Sequence, residues 1–220
     1  MPEARGGWGC GLADSPDMEV IPLFPIPVYL SDEYPLTAAE RSVLIEQEWK
    51  TNPGGGNKSS VNSHLLDLPA LAGLRAFLQG QVDYFAHEIV RIRRDCRFHI
   101  TQSWANFNEK GTMHHLHAHA NSVISGNFFV DGDSSTPISF RRPPSHHLFA
   151  NLSLPIDELN VLNATDYNLA NKKNRVMLFP STTPHFVQPH QTDTPRISLA
   201  FNTFVKGLVG STAEATELRL

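Results

Sequence analysis

Four of the chain's eleven histidines fall between His114 and His119, in the stretch HHLHAHANSVISGNFFV. His115, His117 and His119 alternate, so an extended segment would project them from one face, and the residues that follow read as a strand with small and polar positions at Ser122, Ser125 and Gly126. Neutral imidazole nitrogens at about 2.0–2.1 Å suit Fe, Zn, Cu and Ni, so a cluster at a strand end is a candidate metal site. The competing reading is a solvated loop with no ligand role.

A third ligand would come from elsewhere in the chain. His185, in RVMLFPSTTPHFVQP, follows an apolar strand and a turn of small residues, and opens the next strand. Eleven residues on, RISLAFN places Arg196 and Ser198 on one strand face. An arginine buried there needs an anion; on a surface strand it would simply face water.

The frame that must position these residues is an ordinary globular one. The chain has 220 residues, 40% of them hydrophobic, with 18 basic against 22 acidic side chains for a net charge of −4. That is enough to bury a sizeable core, and the charge argues against nucleic-acid binding. No apolar run approaches the roughly 18 residues of a membrane span, and MPEARGGWGCGLADSPDM lacks the basic-then-apolar character of a signal peptide. We therefore expect a cytoplasmic protein with residues 1–18 as a flexible tail. Cys10 and Cys96 are two thiols without metal-ligand company, so no disulfide framework is expected.

VIPLFPIPVYL, with three prolines, suits an edge strand or extended segment. TAAERSVLIEQEWK carries capping-box spacing at Thr37 and Glu40 and reads as a helix. After the loop NPGGGNKSSVNS, residues Leu71, Leu74, Leu78, Val82, Phe85, Ile89 and Ile92 recur at helical steps. The chain should thus be mainly helical to about residue 94. From Arg97 onward it breaks into six or more short strands, RFHITQSWANFN, SVISGNFFV, PISFRR, RVMLFPS, HFVQP and RISLAFNTFV. The expected fold class is mainly β with flanking helices, around a sandwich or barrel of the jelly-roll kind. One domain over 19–210 and a C-terminal tail over 211–220 complete this organisation.

The order WANFNEKG, HAHANSVISGNFFV, a short strand ending in RRP, LFPSTTPHFVQP and RISLAFN resembles the iron(II)- and 2-oxoglutarate-dependent oxygenases, specifically a branch from bacteria and phages. The likeness spans roughly residues 20 to 206. It implies a double-stranded β-helix holding Fe(II), with 2-oxoglutarate as cosubstrate. By this resemblance His117 is the first metal ligand, His185 the distal one, and Arg196 with Ser198 grips the cosubstrate. Ser125 and Asn127 share a strand face and are candidate cosubstrate contacts, and Asn106 and Trp104, on the preceding strand's common face, are weaker ones of the same kind. The common motif has an acid two residues after the first histidine; this chain has His119, which makes a three-histidine site. In the alternative register, His119 is the first ligand and Asn121 takes the acid's place. His114 and His115 are rim imidazoles, and His146 and His147 receive no role. Of Phe128 and Phe129, one should enter the core and the other wall the pocket.

The activity so implied is hydroxylation of a small-molecule or peptide substrate, with release of succinate and CO2. The rival readings are a three-histidine dioxygenase or cupin-like metalloprotein that does not use 2-oxoglutarate, and a non-catalytic binding module. Neither the substrate nor the oligomeric state is written in the sequence.

Overall fold

The computed structural model describes residues 20–132, 135–146, 152 and 154–220. The expected tail over 1–18 with Cys10, and His147, lie outside the described residues. Twelve strands and two α-helices are formed among those described. The N-terminal part contributes β1 (Tyr29–Leu30), α1 (Ala38–Ile45), β2 (Trp49–Thr51), β3 (Lys58–Ser60) and α2 (Ala72–Tyr84). There follow β4 (Cys96–Asn108), β5 (His114–His117), β6 (Ile124–Asp131), β7 (Ile138–Arg141), β8 (Asp166–Leu169), β9 (Val176–Pro180), β10 (His185–Val187), β11 (Arg196–Val209) and β12 (Leu218–Arg219).

These strands build a jelly roll from two sheets. The larger runs β1-β9-β6-β11-β4-β3-β2, with β12 paired to β11; the smaller runs β5-β10-β7-β8. Side-chain alternation gives the large sheet two different faces. Ile197, Leu199 and Phe201 of β11, Ala105 of β4, Phe128 of β6 and Leu178 of β9 pack under Leu74, Leu78, Val82 and Phe85 of the helical layer. On the opposite face, Met177 and Phe179 meet Ile138, Phe140 and Val187 of the small sheet. The site described below lies on that inner face.

Two helical expectations need trimming. The capping box forms as predicted, Thr37 with Glu40, but α1 stops at Ile45 instead of running on to Lys50. Trp49 turns into a strand and packs on Phe107 with ring centroids 5.3 Å apart. The Gly/Asn/Ser loop then becomes the β2–β3 hairpin, whose Lys58 and Ser59 pair with Phe107 and Asn106 at the edge of β4. The apolar periodicity toward Ile92 also ends early. One π turn (Phe85–Ile89) follows α2, Ile92 N–H closes on the Ala86 carbonyl at 2.9 Å, and Arg91 takes the left-handed conformation at φ 64°. This is a Schellman-like stop widened by the π turn. Within the expected C-terminal tail, Leu218 and Arg219 pair with Val209 and Leu208.

Candidate metal centre

Strand register brings two of the histidines together. β10 pairs antiparallel with β5 so that His185 and His117 are direct partners, with ring centroids 4.4 Å apart. His119 lies just past the end of β5, where its N–H donates to the Ser181 carbonyl at 3.0 Å. This holds the chain between the small sheet and β6. The potential ligand atoms of His117, His119 and His185 all lie within 4.8 Å of one another.

Each of the three rings has its Nδ1 occupied. His117 Nδ1 donates to the His115 carbonyl at 2.8 Å, His185 Nδ1 to the Thr183 carbonyl at 3.0 Å, and His119 Nδ1 to Asn202 Oδ1. An acceptor on Nδ1 fixes the neutral ring in the tautomer that leaves Nε2 bare. Burial lowers the basicity of all three rings and pushes His185 down to about 3, so none carries a second proton at neutral pH. A set of three neutral nitrogen donors turned to one point fits a divalent transition metal such as iron. Asn121, the acid's stand-in under the alternative register, is not among these donors; it sits in a turn at φ 53°.

His119 is further braced from behind. Ser125 Oγ lies 3.0 Å from His119 Nδ1, 3.2 Å from Asn202 Oδ1 and 2.8 Å from Ser181 Oγ. Ser125 is fully buried and is not among the residues lining the cavity, so it supports a ring instead of facing a cosubstrate. His115 is exposed, its ring centroid 5.3 Å from that of His117, and it packs where a side chain on Gly54 would be, 2.4 Å from the Cβ position. His114 instead turns inward, stacks on His117 at 4.4 Å, and is pushed down to about 3 by burial first and neighbouring imidazoles second.

A cavity beside the histidines is lined by Trp104, Asn106, Asn127, Phe186, Arg196 and Ser198, among others. Arg196 is fully buried and pushed down to about 10 by burial alone. It stays a cation at neutral pH. Its guanidinium donates to Ser198 Oγ at 3.3 Å and to Asn171 Oδ1 at 3.2 Å, and among the described residues Nε has no partner. An orphaned donor on a buried cation is what an incoming carboxylate would complete. Phe128 joins the core as one of the pair was expected to; Phe129 covers the guanidinium at 5.9 Å and is not among the residues that line the cavity. His146 is exposed and touches neither group. Asn202 and Asn171 were not legible as site residues, because only cross-strand pairing and a distant loop bring them to His119 and Arg196.

The family model described as "Putative 2OG-Fe(II) oxygenase" matches residues 102–202. The match covers the segments that carry His117, His119, His185, Arg196 and Ser198, so this part of the chain is similar to the 2OG-Fe(II) oxygenases. Solved structures with the same fold include an oxidoreductase of the 2OG-Fe(II) oxygenase family from Burkholderia pseudomallei, 12% identical over 80% of this chain and 84% of that one, with TM-score 0.54. HygX from Streptomyces hygroscopicus, solved with nickel, 2-oxoglutarate and hygromycin B bound, is 14% identical over 81% and 82%, with TM-score 0.53. A Pseudomonas putida prolyl-4-hydroxylase is 11% identical over 80% and 92%, with TM-score 0.51. No curated protein sequence matches the chain. Among the described residues, no helix is long and apolar enough to cross a membrane.

Proposed function

We propose that the protein is an Fe(II)- and 2-oxoglutarate-dependent oxygenase that hydroxylates a C–H bond of a small-molecule or peptide substrate. The observation that carries this reading is the placement of three bare Nε2 atoms and a buried arginine that has no counterion among the described residues around one cavity. His117, His119 and His185 would hold the iron, and Arg196 with Ser198 the far carboxylate of 2-oxoglutarate. Asn106 and Asn127 line the space between. Iron bound there supplies the redox chemistry that couples O2 cleavage to oxidative decarboxylation of the cosubstrate. The overall balance takes one O2, one 2-oxoglutarate and one C–H bond to succinate, CO2 and C–OH.

The protein's own share is geometry and charge. Fixed Nδ1 bonds hold the rings so that little reorganisation follows metal entry. The guanidinium fork orients a carboxylate bidentately, which sets the cosubstrate's direction toward the histidines. Three neutral ligands leave the full +2 charge on the metal, whereas a two-histidine, one-carboxylate site would reduce it by one. HygX is solved with hygromycin B bound, a small molecule, and another protein of the same fold is a prolyl-4-hydroxylase. Both classes belong in a substrate screen.

The test is anaerobic iron loading, followed by 2-oxoglutarate titration and measurement of succinate with oxygen admitted. One iron per chain, binding of 2-oxoglutarate and succinate formation are expected. Iron retention without any 2-oxoglutarate binding at millimolar concentration would replace this reading with a three-histidine enzyme of another kind.

A further inference from the structure

Strand β5 carries one residue more than its partner. His117 lies opposite His185, but His114, three positions back, lies opposite Val187, only two positions on. That is a β-bulge, a device by which a strand re-aims a side chain, and strict alternation from His117 would not bring His114 to its side. The extra residue turns the His114 ring into the cavity, stacked on His117 at 4.4 Å with the ring planes 14° apart. Each of the three converging rings is held by a bond at Nδ1, whereas among the described residues His114 makes no hydrogen bond through its ring. Stacking occupies a ring face, so the edge that carries the N–H is what a molecule in the cavity meets. Trp104 stands in the same way beside His119, with ring centroids 5.9 Å apart. It lines the same cavity, and among the described residues its indole N–H is unbonded too.

The charge of the loaded cavity is uneven. Among the described residues no Asp or Glu lines it, and Arg196 is its one cationic side chain. Iron held by three neutral imidazoles keeps both its positive charges, Arg196 adds one, and 2-oxoglutarate brings two negative ones. One positive charge is left over, where a two-histidine, one-carboxylate site would be neutral, and in a cavity screened from water it acts strongly. We propose that the substrate carries a single free carboxylate, and that His114 and Trp104 are specificity-determining residues whose N–H groups hold this carboxylate beside the metal. The inference rests on the oxygenase reading and names the substrate class that reading leaves open. A carboxylate meets the surplus charge and the two unbonded donors together, and such charge-assisted bonds are the strong ones. An ammonium would be repelled by the same surplus and would find no acid to pair with.

The experiment compares wild type, His114→Phe and Trp104→Phe, each loaded with iron and saturating 2-oxoglutarate in the absence of oxygen. Three probes of one shape and different charge are titrated by calorimetry: benzoate, benzamide and benzylammonium. Equilibrium dialysis with radiolabelled 2-oxoglutarate shows whether the cosubstrate stays in place. Benzoate should bind wild type about 10-fold tighter than benzamide, and benzylammonium should bind weakest. His114→Phe keeps an aromatic ring against His117 but has no N–H. It should weaken benzoate about 10-fold, the size of one hydrogen bond to a charged group, and leave iron and 2-oxoglutarate binding as in wild type. Trp104→Phe should act in the same direction, and it decides alone if His114→Phe does not fold. Benzoate that fails to bind, binds no tighter than benzylammonium or binds only by displacing 2-oxoglutarate overturns the proposal, as does an unchanged benzoate affinity in the variants. Wild type that binds no 2-oxoglutarate fails the oxygenase reading itself, a result separable from the ranking of the probes.

Discussion

The Nε2 atoms of His117 and His119 face each other at 3.2 Å. With both Nδ1 atoms donating to oxygen acceptors and both rings made less basic by burial, no proton lies between them. Two lone pairs at this distance repel unless a cation sits beside both. Ligands about 2.1 Å from one metal and roughly at right angles are about 3 Å apart, so the observed separation suits adjacent ligands of one ion.

The first prediction follows from this pair. His119→Ala and His185→Ala each lose most of the bound iron while remaining folded, whereas His115→Ala keeps it, because His115 is exposed and is not among the three histidines whose ligand atoms converge. Elemental analysis of protein loaded anaerobically and desalted reads the outcome directly. Equal retention in His115→Ala and His119→Ala would return the choice of register to Asn121.

Asn202 offers a second test, since it touches the ring but not the metal position. Its Oδ1 accepts from His119 and lies 3.2 Å from the Ser125 hydroxyl, so it sets both tautomer and angle. Asn202→Ala should weaken iron binding about 10- to 100-fold, the range for an outer partner of a ligating histidine. Competition against a chelator of known affinity measures it, and an unchanged constant would remove Asn202 from the site.

Acidification should destabilise the metal-free fold. A histidine with an ordinary value of 6.5 takes a proton in the unfolded chain below that pH, while folded His114 and His185 refuse it until about 3. The unfolded state then binds more protons, so stability rises with pH across this window and falls as pH drops below 6.5. His114→Gln removes one such group and should flatten the dependence between pH 6 and 5 by about 1 kcal/mol per pH unit. Urea denaturation of apo protein at several pH values gives both slopes, and parallel slopes would show that His114 is not buried neutral.

Much of this centre was readable because its ligands are carried by short local patterns. HxH at a strand end, a histidine opening the strand after a turn of small residues, and Arg-x-Ser on an alternating strand each keep their meaning without knowledge of the partners. The residues that complete the site do not. Asn171 reaches Arg196 from 25 positions away and Asn202 reaches His119 from 83, both through loop placement or register that no local pattern encodes. Ser125 shows the same limit from the other side: its face was read correctly, but that face is filled by His119 before any ligand reaches it. The β2–β3 hairpin was hidden for a different reason. Its three-residue strands are too short for a periodic signal and are stabilised by the β4 edge they meet.

The glycines of that hairpin give a stability prediction. A Cβ on Gly55 would fall 2.2 Å from the Met113 carbonyl oxygen, just before the histidine strand β5, while one on Gly80 in α2 meets nothing within 4 Å. Gly55→Ala should therefore cost about 1–3 kcal/mol and reduce iron retention by shifting β5. Gly80→Ala should gain about 0.5–1 kcal/mol from helix propensity alone. Denaturation midpoints for the two variants should move in opposite directions; a neutral Gly55→Ala would mean that the loop yields without disturbing β5.

Arg196 permits a test in which stability and binding part company. The guanidinium is fully buried, with an Nε that is unbonded among the described residues, so the unliganded fold bears a desolvated charge that its two neutral acceptors only partly offset. Methionine has a similar length, no charge and no need for partners, and buried ionic groups are often replaced by apolar ones at no loss of stability. Arg196→Met should thus unfold at the same urea concentration as wild type or higher, and bind iron normally through the three histidines. Its affinity for 2-oxoglutarate should fall by about 2–5 kcal/mol, the range for truncating one member of a buried charge pair. Arg196→Lys should lie between, since it keeps the charge but loses the fork. The measurements are urea melts without ligand and calorimetry on anaerobic, iron-loaded protein. Tight 2-oxoglutarate binding by Arg196→Met would mean the carboxylate is held elsewhere, and a large loss of unliganded stability would mean the arginine serves the fold before the ligand.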